Sequence, residues 1–123
     1  MVAILVIDDD EPMRRTVARM LRQAGHDVIE AGNGVEGVRL FRTTPCAVVV
    51  TDLIMPDKEG IETIREVRAI APDVRIIAMS GRAVTQQEHY LRVAEVLGAD
   101  ASLTKPFRVE ELLATLARVM APR

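Results

Sequence analysis

Asp8, Asp9, Asp10 and Glu11 stand in a row where the apolar stretch Ala3–Ile7 ends. Asp52 follows a second apolar run, Ser80 a third and Lys105 a fourth. Adjacent carboxylates repel one another, and each disfavours ionisation of the next. A cation removes that penalty. Donors that are all oxygen favour a hard ion such as Mg²⁺, which keeps several waters and needs few carboxylates. A carboxylate beside such an ion can attack phosphorus and become an aspartyl phosphate. The moving phosphoryl group carries charge on its equatorial oxygens, and a metal, an ammonium and a hydroxyl stabilise it. Asp8, Asp9, Lys105 and Ser80 supply those types, with Asp52 as nucleophile.

Residues so far apart in sequence need a scaffold that brings them to one edge. Ala3–Ile7 is too short for a helix and rich in β-branched residues, so it reads as a fully buried strand. Ala47–Val50, running on to Thr51-Asp52, and Val74–Met79, ending in Ser80-Gly81, read the same way. Val28–Ile29, flanked by Asp27 and Glu30, has the charged profile of an edge strand. Ala101–Leu103 is a short fifth strand before "TKPF". Helical patterns lie between them. Pro12 suits a first turn, with Met13, Val17, Met20, Leu21 and Ala24 on one side and Gly25 as the stop. "GNG" at 32–34 turns into a helix through Val38 and Phe41 that stops before Pro45. Ile61, Ile64 and Val67 mark a third helix closed by Pro72. Thr85 and Glu88 form a capping box that opens a fourth, ended by Gly98. Val109, Leu112, Leu113, Leu116 and Met120 mark a fifth.

This alternation predicts an α/β protein with a five-stranded parallel sheet and helices on both faces. Right-handed crossovers, with the second and fifth strands as edges, allow the doubly wound order 2-1-3-4-5. Ligands bind such sheets beyond the carboxyl ends of the strands, where the winding reverses. Asp8–Asp10, Asp52, Ser80 and Lys105 all follow strands at that edge.

Composition narrows the function. A chain of 123 residues is one domain by default. Hydrophobic residues, at 49%, are enough for a core. A net charge of −2 leaves no basic footprint for nucleic acid, and 2% aromatics leave no platform for base stacking. No run is long and apolar enough to span a membrane, and no signal peptide is visible. The lone Cys46 makes no internal disulfide, which suits the cytoplasm, and reads as a buried, inert thiol.

Four motifs, each weak alone, occur in order after the appropriate strands. They are Asp8-Asp9, "TDLIMPDKEG" from Thr51 to Gly60, "MSG" from Met79 to Gly81, and "LTKPF" from Leu103 to Phe107. Together they resemble the receiver domain of two-component response regulators, over essentially the whole chain. The resemblance implies a flavodoxin-like fold, with residues 1–121 as the receiver and 122–123 as a tail or the start of a linker. It implies a phospho-acceptor switch rather than an enzyme acting on other substrates. Asp52 would be phosphorylated by a histidine kinase or a histidine phosphotransfer protein. Mg²⁺ would be held by Asp9 directly, by Asp8 largely through water, by Asp52 and by the backbone carbonyl of Ile54. Ser80 would bind a phosphoryl oxygen and Lys105 would pair with the group, with a cis bond before Pro106. The output would pass through the fourth helix, fifth strand and fifth helix to an output domain or effector, or to a phosphorylation-dependent homodimer.

The chain departs from the family at Ser102, where most receivers carry Tyr or Phe three residues before the lysine. The segment from Ser80 to Lys105 is also a few residues longer than is common, and Tyr90, Val93, Val96 and Leu97 spread widely around its helix. Ile54 and Arg82 lie where they could tune the lifetime of the phosphoryl group, and Ile54 is expected to slow its hydrolysis. Two other functions compete. The Asp-x-Asp within Asp8–Asp10 resembles haloacid-dehalogenase-type phosphatases, with Asp8 as nucleophile, although Pro12 and the lack of a later acidic pair depart from them. A degenerate receiver acting only as a binding module is the other, supported by Ser102. Bland roles remain for Asp10 and Glu11 as helix-start acids, for His26 and His89 as surface residues, and for Arg15, Arg19 and Arg22 as a solvated stripe or a kinase-docking face.

Overall fold

A computed structural model describes residues 2–53, 60–81 and 98–122. Five strands alternate with helices: β1 (Ala3–Ile7), α1 (Glu11–Gln23), β2 (Asp27–Ala31), α2 (Gly34–Thr43), β3 (Val48–Asp52), α3 (Gly60–Ile70), β4 (Arg75–Ser80), β5 (Ala101–Thr104) and α4 (Val109–Met120). The helix expected between Thr85 and Gly98, with Arg82, His89 and Tyr90, lies outside the described residues, as does Ile54. The C-terminal helix is therefore α4.

The sheet is parallel throughout, in the order β2-β1-β3-β4-β5. Side chains alternate between its faces, as the strand repeat of two requires. Leu5, Ile7, Val49, Ile76 and Ala78 point to one layer, where Val38 and Phe41 of α2 and Ile64 and Val67 of α3 cover them. Ile4, Val6, Val50, Ile77 and Met79 point to the other, covered by Val17 and Leu21 of α1 and Leu112, Leu116 and Val119 of α4. Burial on both faces explains why β1, β3 and β4 read as unbroken apolar runs.

The helix starts are set by polar side chains. Asp10 caps α1 by accepting from the Met13 amide, and Glu11 begins its first turn. Asn33 caps α2 by accepting from the Glu36 amide at 2.8 Å. After α1 the chain turns through Gly25 at φ +96°, a conformation that favours glycine.

Several sequence expectations need correction. β2 runs from Asp27 to Ala31, longer than Val28–Ile29, because its backbone pairs with β1 from Ala3 to Ile7 whatever the side chains. Cys46 is half-buried, not buried; its thiol donates to the Thr44 carbonyl, and partial desolvation raises its pKa. His26 is half-buried rather than on the surface, and its Nδ1 accepts from the Val2 amide at 3.2 Å. Val109 is 37% exposed, while Val119, outside the expected stripe, is buried. Ala24 is exposed.

Candidate functional site

Asp8 follows the last residue of β1 at the central, winding-reversal edge. Its amide continues the β1–β2 pairing by donating to the Ala31 carbonyl at 3.1 Å. Its side chain is fully buried. Oδ1 accepts from the Asp10 amide at 3.0 Å, and Oδ2 accepts from Lys105 Nζ at 2.8 Å. Asp9, next in the chain, is exposed.

Asp52 is the last residue of β3, held in the sheet opposite Met79 of β4. Its Oδ1 accepts from the Leu53 amide at 3.0 Å and lies 3.5 Å from Lys105 Nζ. The residue is 8% exposed. Burial, reinforced by the negative charge of Asp8, outweighs the attraction of Lys105 and pushes the Asp52 pKa up to about 6. For Lys105, burial acts to lower the pKa, but the hydrogen bond to Asp8 and the charges of Asp52 and Asp8 prevail and raise it. The lysine is thus a firmly charged ammonium shared by two buried carboxylates.

Ser80 is the last residue of β4 and is 1% exposed. Its carbonyl accepts from the Lys105 amide at 2.7 Å, which fixes the root of the lysine. The Lys105–Pro106 peptide bond is cis. Ser102, on β5 opposite Ala78, is half-buried. Ile54, whose carbonyl was expected at the site, lies outside the described residues.

The donor set fits a divalent cation. Asp8, Asp9 and Asp52 each offer an oxygen within 4.8 Å of the others. All donors are hard oxygens, two of the three residues are buried, and one ammonium does not balance three carboxylates. Arg15, Arg19 and Arg22 stand on the exposed flank of α1, where Arg15 pairs with Glu11 and Arg22 with Glu30. Arg14 is different. Its side chain is 16% exposed and reaches the backbone carbonyl of Asp8. Its position four residues after the helix cap, on the turn nearest the carboxylates, is the one hint available.

Known proteins place this geometry in a family. The family model described as response regulator receiver domain matches residues 4–117. The response regulator MprA of Mycobacterium sp. (strain KMS) is 37% identical over 120 residues, 97% of this chain and 50% of the relative. The chain spans about half the length of the curated relatives it matches. The Vibrio cholerae chemotaxis protein CheY4 superposes with a TM-score of 0.88 at 29% identity, covering 98% of this chain and 99% of that one. A response regulator from Burkholderia pseudomallei, crystallised with a phosphorylated aspartic acid, calcium ion and citrate, gives 0.83 at 33% identity, over 93% and 65% of the two chains. A parallel sheet in the order 2-1-3-4-5, a carboxylate-lysine site at its winding reversal and a match over nearly its full length make this chain a member of the response regulator receiver domain family.

Proposed function

We propose that Asp52 accepts a phosphoryl group from a phosphohistidine of a histidine kinase or phosphotransfer protein. An Asp52 oxygen forms the new bond to phosphorus as the nitrogen–phosphorus bond breaks, and the bond's electron pair leaves with the imidazole. Asp8, Asp9, Asp52 and the Ile54 carbonyl would hold Mg²⁺, which supplies charge neutralisation when bound. Lys105 offers its ammonium and Ser80 its hydroxyl to the phosphoryl oxygens. The observation that carries this reading is Lys105 Nζ, 2.8 Å from Asp8 and 3.5 Å from Asp52, joining the predicted metal ligands to the predicted nucleophile. The same geometry disfavours Asp8 as a phosphatase nucleophile. Asp8 has no exposed surface and both its oxygens are engaged, whereas the Asp52 side chain is 11% exposed.

The receiver would comprise residues 1–121 and act in the cytoplasm as a switch that promotes its own phosphorylation and dephosphorylation. Its output would pass through the 82–97 segment, β5 and α4 to an output domain, an effector or a second copy. Incubation with Mg²⁺ and a small acyl phosphate, followed by mass spectrometry, tests the assignment. One phosphoryl group is expected on wild type and on Ser80→Ala at a lower rate, and none on Asp52→Asn. Labelling that survives Asp52→Asn but not Asp8→Asn would transfer the role to Asp8. No labelling under any condition, even with a cognate kinase, would leave a binding module.

A further inference from the structure

Arg14 lies on α1 between the acidic site and the edge strand β2. Its Nε donates to Glu30 Oε1 at 3.1 Å, and its Nη1 donates to the Asp8 backbone carbonyl at 3.3 Å. Glu30 is itself anchored, accepting from Arg22 Nη1 at 3.1 Å. The Asp8 backbone is therefore held on both sides: its amide by the Ala31 carbonyl and its carbonyl by a guanidinium tied to the same strand. That carbonyl belongs to the planar peptide joining Asp8 to Asp9, so its direction sets where the chain leaves for Asp9. Asp8 is held by burial, but Asp9 is exposed and gains no such support from packing.

We propose that Arg14 is a positioning residue for the carboxylate cluster. By holding the Asp8–Asp9 peptide, it keeps the exposed Asp9 carboxylate turned toward Asp8 and Asp52 for a divalent cation. This rests on the metal reading of those three residues. Charge alone predicts the opposite effect. A guanidinium near the site repels a cation, so deleting it as a mere charge would tighten Mg²⁺ binding. Deleting it as a support would loosen binding, and the sign of the change separates the two.

The test is calorimetric titration of the metal-free protein with Mg²⁺, with melting temperatures measured alongside. Arg14→Ala is expected to weaken Mg²⁺ binding by about tenfold, the usual scale for a group that orients a ligand. Arg14→Lys keeps the charge but loses the planar fork that reaches two partners, so it is expected to weaken binding as well. Arg15→Ala, which removes an exposed arginine of the same helix that pairs with Glu11 rather than with Glu30 or Asp8, is expected to bind as wild type does. If Arg14→Ala does not fold, Arg14→Lys makes the comparison, because with the charge kept charge alone predicts no change in binding. Arg14 variants that bind Mg²⁺ as tightly as wild type, or more tightly, would overturn the role whatever their melting temperatures. A wild type that binds no Mg²⁺ would overturn the metal reading itself and this inference with it.

Discussion

Replacing Asp52 by Asn should stabilise the metal-free protein, and the gain should depend on pH in a defined way. Burial raises the Asp52 pKa from its ordinary 3.8 to about 6, after the opposing attraction of Lys105 has acted. That gap corresponds to about 3 kcal/mol against the ionised form in the folded state. The sign follows from proton binding. Between pH 3.8 and about 6 the folded chain holds a proton that the unfolded chain has released, so stability falls as pH rises through this window. Above it the full penalty applies, and below it the penalty vanishes. Asn resembles the protonated carboxyl and avoids the penalty at every pH. At pH 8, Asp52→Asn should therefore be more stable than wild type by up to ~3 kcal/mol, a rise of roughly 10 °C in melting temperature for a domain of this size. By pH 5 the advantage should shrink to about half.

The assay is thermal unfolding by circular dichroism from pH 5 to pH 8, with chelator present. A second arm adds Mg²⁺ at millimolar excess. A cation on Asp52 removes the reason for the penalty, so Mg²⁺ should stabilise wild type more than Asp52→Asn and close the gap between them. An Asp52→Asn advantage that stays constant from pH 5 to pH 8 would refute the reasoning. So would a variant less stable than wild type at pH 8, since the Lys105 attraction would then outweigh burial.

Mg²⁺ at millimolar excess should raise the melting temperature of wild type, and an unchanged value would count against the metal site. Lys105→Met leaves Asp8 and Asp52 without the ammonium they share; it should cost about 3 kcal/mol without metal at neutral pH and raise the Asp52 pKa further, both read by melts across pH. Gly60→Ala places a Cβ over the Asp52 carbonyl oxygen and 2.6 Å from Leu53 Cα, both backbone atoms that cannot swing aside. It should cost ~1–3 kcal/mol in denaturant unfolding; a near-wild-type value would show that α3 can withdraw without penalty.

The order of elements was legible because each strand buried on both faces leaves a continuous apolar run, and each described helix leaves a stripe. Asp8, Asp9, Asp52, Ser80 and Lys105 were legible because strand ends at one sheet edge converge whatever lies between them. What escaped the sequence depends on three-dimensional neighbours. β2 extends over its charged flanks because β1 offers backbone partners along its whole length. Thr115 and Val119 are buried because the sheet beneath α4 covers a wider arc than the expected stripe. Arg14 was hard to read because a basic residue on an exposed-looking helix face is ordinary, and its partners, Glu30 and the Asp8 carbonyl, lie outside its helix.

The same neighbours connect the site to the rest of the sheet. Without metal, Lys105 is divided between Asp8 and the nucleophile, and its backbone amide is bonded to the Ser80 carbonyl. A phosphoryl group on Asp52 would bring further anionic oxygens within reach of that ammonium. A cation on Asp8 and Asp9 would at the same time lessen the hold of Asp8 on it. Both changes would draw Lys105 toward Asp52. Lys105 follows directly from β5, and Ser80 ends β4. The residues between those strands therefore begin and end at groups that answer to the charge on Asp52. A change of charge on Asp52 would shift a conformational equilibrium only as far as it favours one conformation over the other. Ser102 occupies the position where most receivers use an aromatic side chain, and the link that this chain does show between the two strand ends is the Lys105 amide on the Ser80 carbonyl.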